Sequence, residues 1–186
     1  FNASREKGLP FQQFIFLGPT GTGKTATALY LKEQIEKEGY HVYYIVAQPS
    51  LLFTVQQFTG KVYSSVARAM FDIQKVLRSQ KKNVVILDDA DTLLVERGNL
   101  DYLMYFLSRE PSIDWLITIS NKSYILSQIE DIKVKGSWIP VPIFFPPYNA
   151  NELFDILKSK KFPLKDDILR WIAEQTVSEG SNTRRA

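Results

Sequence analysis

Short apolar runs alternate along this chain with longer stretches of helical period. The runs are Phe14-Ile15-Phe16-Leu17, Val42-Tyr43-Tyr44-Ile45-Val46, Val84-Val85-Ile86-Leu87, Trp115-Leu116-Ile117-Thr118-Ile119 and Ile143-Phe144-Phe145. They are rich in β-branched and aromatic residues and almost continuously apolar, the pattern of strands covered on both faces. The pattern predicts strands over about 12–17, 42–46, 84–87, 115–119 and 143–145. Between them, Ala28, Leu31 and Ile35 predict a helix over about 24–38, stopped by Gly39. Val66, Ala69, Met70, Ile73 and Leu77 share one face of a helix predicted over 62–78. Further helices are predicted over 99–108, 151–159 and 165–176, whereas 48–60 shows no clear period. Residues 1–10, ending in Gly8-Leu9-Pro10, read as a loop. Five strands alternating with helices predict an α/β fold, a parallel, doubly wound sheet covered on both faces. Pro146-Pro147 is the candidate boundary, dividing the chain into 1–147 and a smaller helical part, 148–186.

Composition narrows the classes of function. At 186 residues with 45% hydrophobic content, the chain is one domain, or one and a fraction, with ample material for a core. Lys and Arg number 23 against 20 Asp and Glu, a net charge of +3, which permits nucleic-acid contact without arguing for it. There is no cysteine, which excludes disulfides and thiolate metal sites. No run of about 18 apolar residues offers a membrane span, and Phe1 to Lys7 is no signal peptide. His41, the one histidine, opens a strand and reads as a strand-edge side chain rather than a catalytic one.

One stretch carries explicit chemistry. Gly18-Pro19-Thr20-Gly21-Thr22-Gly23-Lys24-Thr25 follows a predicted strand, opens a predicted helix and fits the phosphate loop of P-loop nucleotide-binding proteins. Its backbone N–H groups can turn inward as a nest for anionic oxygens. Lys24 adds a positive charge for the β- and γ-phosphates, Thr25 offers a hydroxyl to Mg²⁺, and the helix points its positive end at the same place. The third strand runs into Asp88-Asp89-Ala90-Asp91, the apolar-strand-then-acid pattern called Walker B. Ligands in such folds sit at the carboxyl ends of strands. That places Asp88 to hold Mg²⁺ through water beside Thr25, and Asp89 to orient an attacking water. Asp91 reads as a turn or cap residue. Asn121 ends the fourth strand, where a neutral amide can hydrogen-bond the water and the γ-phosphate; a plain turn asparagine is the alternative. The cations Arg68, Lys75 and Arg78 on the 62–78 helix read as a solvated face.

Later residues carry a family likeness. They are Phe145-Pro146-Pro147-Tyr148-Asn149-Ala150-Asn151-Glu152-Leu153, then Ser181-Asn182-Thr183-Arg184-Arg185-Ala186, with Ser4-Arg5-Glu6 and Phe58-Thr59-Gly60 upstream. Together with the phosphate loop, Asp88-Asp89 and Asn121, this set resembles the AAA+ ATPases, and within them the archaeal and eukaryotic origin-recognition (Orc/Cdc-type) replication initiators. The resemblance covers almost the whole chain. It implies an AAA+ sheet of five parallel strands sandwiched by helices, followed by the start of a helical lid. It makes Asn121 the sensor-1 residue and Arg184 the sensor-2 arginine that touches the γ-phosphate, although Arg184 and Arg185 also suit a solvated basic tail. It places Arg5 near the adenine and Tyr148 near the base. It implies ATP or ADP with Mg²⁺ as cofactors. The implied partners are double-stranded origin DNA, bound through a C-terminal winged helix and a helical insertion, and other initiator subunits. It implies no membrane, and a cytoplasmic, nucleoid-associated protein, nuclear if eukaryotic.

The chain departs from that family in three places. Asp89 stands where members usually carry glutamate, one methylene longer. Lys133, within Ile132-Lys133-Val134-Lys135, stands where the family has an arginine that acts on the neighbouring subunit's nucleotide, and lysine lacks the planar fork. The chain also stops just after Arg185 without a winged helix and is short around 7–8 and 56–58, the expectation for a fragment. The expected function is therefore an ATP-binding, slowly hydrolysing initiator. The alternative is a nucleotide-locked assembly subunit with negligible turnover. A small-molecule kinase is disfavoured, because no arginine-rich lid follows the fourth strand.

Overall fold

A computed structural model describes residues 12–179. Its centre is a five-stranded, all-parallel sheet in the order β2-β3-β4-β1-β5, formed by β1 (Gln12–Leu17), β2 (His41–Val46), β3 (Asn83–Asp88), β4 (Ile113–Ser120) and β5 (Val141–Phe144). The predicted parallel α/β sheet is therefore present, strand for strand. Seven α-helices are described among these residues: α1 (Lys24–Lys37), α2 (Leu51–Gln56), α3 (Val66–Ser79), α4 (Asn99–Leu107), α5 (Ile132–Lys135), α6 (Ala150–Ser159) and α7 (Asp166–Ser178). Two 3₁₀ turns, Ala90–Val95 and Ile125–Gln128, join the later elements.

Alternation along the strands divides the core in two. Val84 and Ile86 of β3 and Trp115, Ile117 and Ile119 of β4 face α1, where Ala28 and Ile35 meet them. Val85, Leu87 and Leu116 face the opposite way, onto Ala69, Ile73 and Leu77 of α3 and Leu103, Met104 and Leu107 of α4. Every residue of β3 is buried, which explains its unbroken apolar run. Truncating one of these side chains, Ile86 for example, is expected to cost about 2–5 kcal/mol. Asn83 is the polar exception. Its side-chain amide donates to Leu77 O at 2.7 Å and Ser112 O at 2.8 Å, tying the end of α3 to the start of β4.

Two local expectations are corrected. The helix predicted from Val62 begins at Val66, because Ser65 caps it: its hydroxyl accepts the Arg68 N–H at 3.4 Å. Val62 is 90% exposed and has no apolar face to bury, so nothing extends the helix back to it. The periodless segment 48–60 contains α2, which buries Leu51, Thr54 and Val55. Its first turn is tied by Thr54 Oγ1, which accepts the Gln48 N–H at 2.8 Å.

Beyond β5 the chain turns at Pro146-Pro147 and enters α6 through a capping box. Asn149 Oδ1 accepts the Glu152 N–H at 3.0 Å, and Glu152 Oε2 accepts the Asn149 N–H at 2.9 Å. α6 and α7 bury Leu153, Leu157, Leu169 and Ala173 in a cluster of their own.

Candidate functional site

The carboxyl ends of β1, β3, β4 and β5 converge, and a cleft of about 500 Å³ opens there. Thr20, Gly21, Gly23, Lys24 and Thr25 line one side; Asp89, Thr92 and Asn121 line the other. Candidates far apart in sequence thus meet because each ends a strand of one parallel sheet.

The loop after β1 wraps the start of α1. Thr22 Oγ1 donates to Pro19 O at 2.9 Å and closes the turn. Gly23 caps α1 at φ +89°, a left-handed conformation that costs a residue with a Cβ. A Cβ at Gly23 would also lie 2.7 Å from the Tyr148 hydroxyl. At Gly18 it would lie 2.2 Å from the Phe145 carbonyl oxygen, on the strand-end segment where the Phe145 N–H donates to Leu17 O at 2.7 Å. The phosphate loop is therefore packed from behind by the Phe145–Tyr148 segment, and Tyr148 lies against Gly23. α1 has no acidic residue in its first turn, so the positive end of its dipole is not offset by its own sequence.

Lys24 is buried, and its ammonium donates to Gly18 O at 2.8 Å and Pro19 O at 2.7 Å. Anionic phosphate oxygens are stronger acceptors than these neutral carbonyls, so the lysine can exchange one set for the other. Thr25 Oγ1 donates to Asp88 Oδ2 at 2.9 Å. Asp88 is buried; its Oδ1 accepts the Asp89 N–H at 2.8 Å, and its Oδ2 also accepts the hydroxyl of Tyr44 on β2. Burial first, and then the Asp88 carboxylate, push the Tyr44 phenol well above its ordinary range, so it stays a donor at neutral pH.

Asp89 has φ +52°, a left-handed conformation that aspartate tolerates better than most side chains. Its Oδ1 accepts the Asn121 side-chain amide at 3.0 Å. Asp91, read from sequence as a turn or cap residue, ties the end of β4 down: its Oδ1 accepts the Asn121 N–H at 2.9 Å and the Ser120 hydroxyl at 3.1 Å.

The residues present fit a phosphate-bound Mg²⁺. A hydroxyl and a buried carboxylate already share a hydrogen bond at the start of α1, beside the glycine-rich loop. Among the described residues no cluster of three or more acidic, histidine or cysteine side chains forms an all-protein metal site. Mg²⁺ at phosphates does not need one, because it keeps waters and takes one or two protein oxygens.

Arg5 and Arg184 lie outside the described residues. Lys133 is exposed on α5, away from the cleft lining, and its carbonyl accepts Arg109 Nη2 at 3.4 Å. Tyr44 went unnoticed in the sequence because β2 reads as an ordinary strand. Only the parallel pairing of β2 with β3, which sets Val46 against Asp88 and Tyr44 against Ile86, brings the two together, and the sequence carries no local signal of it.

Fold and site together define a P-loop nucleotide-binding protein of α/β architecture. A family model described as an AAA domain matches residues 12–129, and the chain belongs to that family. It is 30% identical over 189 residues to an ORC1-type DNA replication protein of Methanothermobacter thermautotrophicus, covering 92% of this chain and 49% of that one. It is 30% identical over 203 residues to ORC1-type DNA replication protein 1 of Sulfurisphaera tokodaii, covering 95% and 50%. The chain thus spans about half the length of the curated relatives it matches. In fold it is similar to the Aeropyrum pernix ORC1 protein solved in complex with DNA, with a TM-score of 0.78 and 24% identity over 98% of this chain and 53% of that one. It is also similar to the Aeropyrum pernix ORC2 protein solved as ADPNP–ADP complexes, with a TM-score of 0.72 and 20% identity over 98% and 57%. No helix among the described residues is long and apolar enough to cross a membrane.

Proposed function

We propose that this chain is the nucleotide-binding part of an ORC1-type replication initiator, binding ATP or ADP with Mg²⁺ in the cleft and hydrolysing ATP slowly. In this reading the loop 18–25 cradles the phosphates, Lys24 neutralises the β- and γ-phosphates, and Thr25 and Asp88 hold the metal. Asp89 accepts a hydrogen bond from the attacking water, and Asn121 senses the γ-phosphate. Bound Mg²⁺ supplies charge neutralisation across the β- and γ-phosphate oxygens. Nucleotide state then governs binding to double-stranded origin DNA and to other initiator subunits. The curated relatives are DNA replication proteins, and one solved neighbour holds DNA, which supports that assignment of partners.

The observation that carries the reading is the pairing of Thr25 with Asp88 beside that of Asn121 with Asp89, next to the glycine-rich loop 18–25. Calorimetry with ADP and a non-hydrolysable ATP analogue tests it. Lys24→Ala removes charge-assisted hydrogen bonds worth about 1.5–3 kcal/mol, roughly a ten- to hundredfold loss of affinity. Unchanged affinity for both nucleotides would remove the site from the loop.

A second reading, a nucleotide-locked assembly subunit, is favoured by one specific observation. One oxygen of the Asp89 carboxylate is already engaged by Asn121. Turnover separates the two.

A further inference from the structure

Asp88 Oδ2 accepts two hydroxyls, from Thr25 and from Tyr44, while Oδ1 takes the Asp89 N–H. A carboxylate oxygen has two lone-pair sites, so Oδ2 is fully engaged. The two hydroxyls come from different elements. Thr25 belongs to the first turn of α1; Tyr44 sits in the middle of β2, packed against the buried cluster that fills the sheet face under α1.

On the proposed reading of the site, on which this inference rests, Thr25 turns its oxygen to Mg²⁺ when nucleotide is bound. A hydroxyl that gives a lone pair to the metal keeps its proton, so Thr25 can still donate to Asp88, but its position then follows the metal and the phosphate loop. A carboxylate whose donor is drawn toward the metal moves with it unless a second donor on another element holds it. Tyr44 is the hydroxyl that can stay, because its ring is fixed by a strand rather than by the phosphate loop.

We infer that Tyr44 is a positioning residue for the magnesium–nucleotide complex: its hydroxyl holds the Asp88 carboxylate in place when Thr25 takes up the metal. The other carboxylate oxygen is held by a backbone N–H, which fixes position but not the tilt of Oδ2. Tyr44 supplies that second point. A hydroxyl on β2 thereby sets how strongly Mg²⁺ tightens nucleotide binding, without touching the nucleotide itself. A merely space-filling tyrosine would instead leave metal binding indifferent to its hydroxyl.

The test is calorimetric affinity for a non-hydrolysable ATP analogue, measured with and without Mg²⁺ on the whole chain and on Tyr44→Phe, with melting temperatures recorded alongside. In Tyr44→Phe the Mg²⁺-dependent tightening is expected to shrink roughly tenfold, the size of a hydrogen bond to a charged group. Metal-free affinity should stay within about twofold of the parent, since the phosphate loop is untouched. Mn²⁺ binding to the same complex, followed by electron paramagnetic resonance, should weaken in parallel. Tyr44→Leu, which removes ring and hydroxyl together, should lose the same tightening. An unchanged or enlarged Mg²⁺ effect in Tyr44→Phe overturns the inference; so does loss of the effect in Tyr44→Leu alone, which would assign it to ring packing. A parent chain that binds no nucleotide overturns the nucleotide reading and this inference with it; one that binds nucleotide no tighter with Mg²⁺ overturns the metal part of that reading and this inference. A parent that responds to Mg²⁺ beside an equally responsive Tyr44→Phe overturns the inference only.

Discussion

The Asn121 side-chain amide donates to the Asp89 carboxylate at 3.0 Å, joining the end of β4 to the end of β3 on one wall of the cleft. The acid expected to orient water and the amide expected to sense the γ-phosphate therefore hold each other. On the proposed reading, the Asn121 amide takes one of the acceptor sites of Asp89, and the aspartate is one methylene shorter than glutamate. A 1 Å misplacement can cost about 100-fold, and a missing arginine finger about 10³- to 10⁵-fold. Single-turnover hydrolysis by the chain is expected far below ~1 s⁻¹, with nucleotide copurifying. Asp89→Glu is expected to raise the rate roughly 10- to 100-fold. It should also lower the melting temperature slightly, because glutamate fits φ +52° less well than aspartate. A parent that turns over several times per second, with Asp89→Glu no faster, defeats the slow-hydrolysis reading.

The glycines of the phosphate loop differ in what they touch, and the difference is measurable. Gly18→Ala drives a Cβ to 2.2 Å from the Phe145 carbonyl oxygen, which belongs to backbone and cannot swing away. Gly23→Ala meets the free end of Tyr148 at 2.7 Å and adds the cost of a left-handed φ, about 1–2 kcal/mol. Gly18→Ala should lower the melting temperature more and abolish nucleotide binding. Adding Tyr148→Ala to Gly23→Ala should recover the steric part of the loss and leave the backbone part. Equal effects of the two single substitutions would contradict the packing described.

Glu110 ties stability to pH. It is buried after α4 and accepts Gln74 Nε2 at 2.8 Å, Ser112 Oγ at 2.7 Å and Arg78 Nε at 3.2 Å. Burial works to raise its carboxyl, but the Gln74, Ser112 and Arg78 hydrogen bonds prevail and hold it below the ordinary value. A depressed carboxylate contributes stability that is fully present above its unfolded value, near pH 4.5, and is lost as pH falls through the folded one. Glu110→Gln is expected to cost about 1–3 kcal/mol at neutral pH. Urea titrations at several pH values should show that cost shrinking below about pH 4.5. A cost that is constant down to pH 3 would mean packing, not charge, is at stake.

Residues 1–186 carry a net charge of only +3 and span about half of the relatives they match. Duplex DNA should therefore bind this chain weakly, with affinity falling steeply as salt rises, because phosphate contacts dominate such binding. Fluorescence anisotropy across a salt series checks this. Tight, sequence-selective binding by residues 1–186 alone would mean that this part of the protein reads bases itself.

Each strand, the phosphate loop, the Asp88-Asp89 pair and Asn121 were legible in the sequence because each is contiguous. An apolar run and the residues that end it are written side by side, and a parallel sheet sends all those ends to one edge. Helix starts were less legible: Ser65 outweighs the apolar Val62, since a cap satisfies backbone N–H groups that an exposed side chain cannot. α2, at six residues, is too short to show a period and is held by the Thr54 hydroxyl and buried contacts instead. The contacts of Tyr44 with Asp88, Gly18 with Phe145 and Gly23 with Tyr148 were decided only in three dimensions. They depend on the strand order β2-β3-β4-β1-β5, which sets β2 beside β3 and β5 beside β1. Strand order is a choice among long-range pairings whose energies come from packing between distant segments, and no local pattern of residues encodes it.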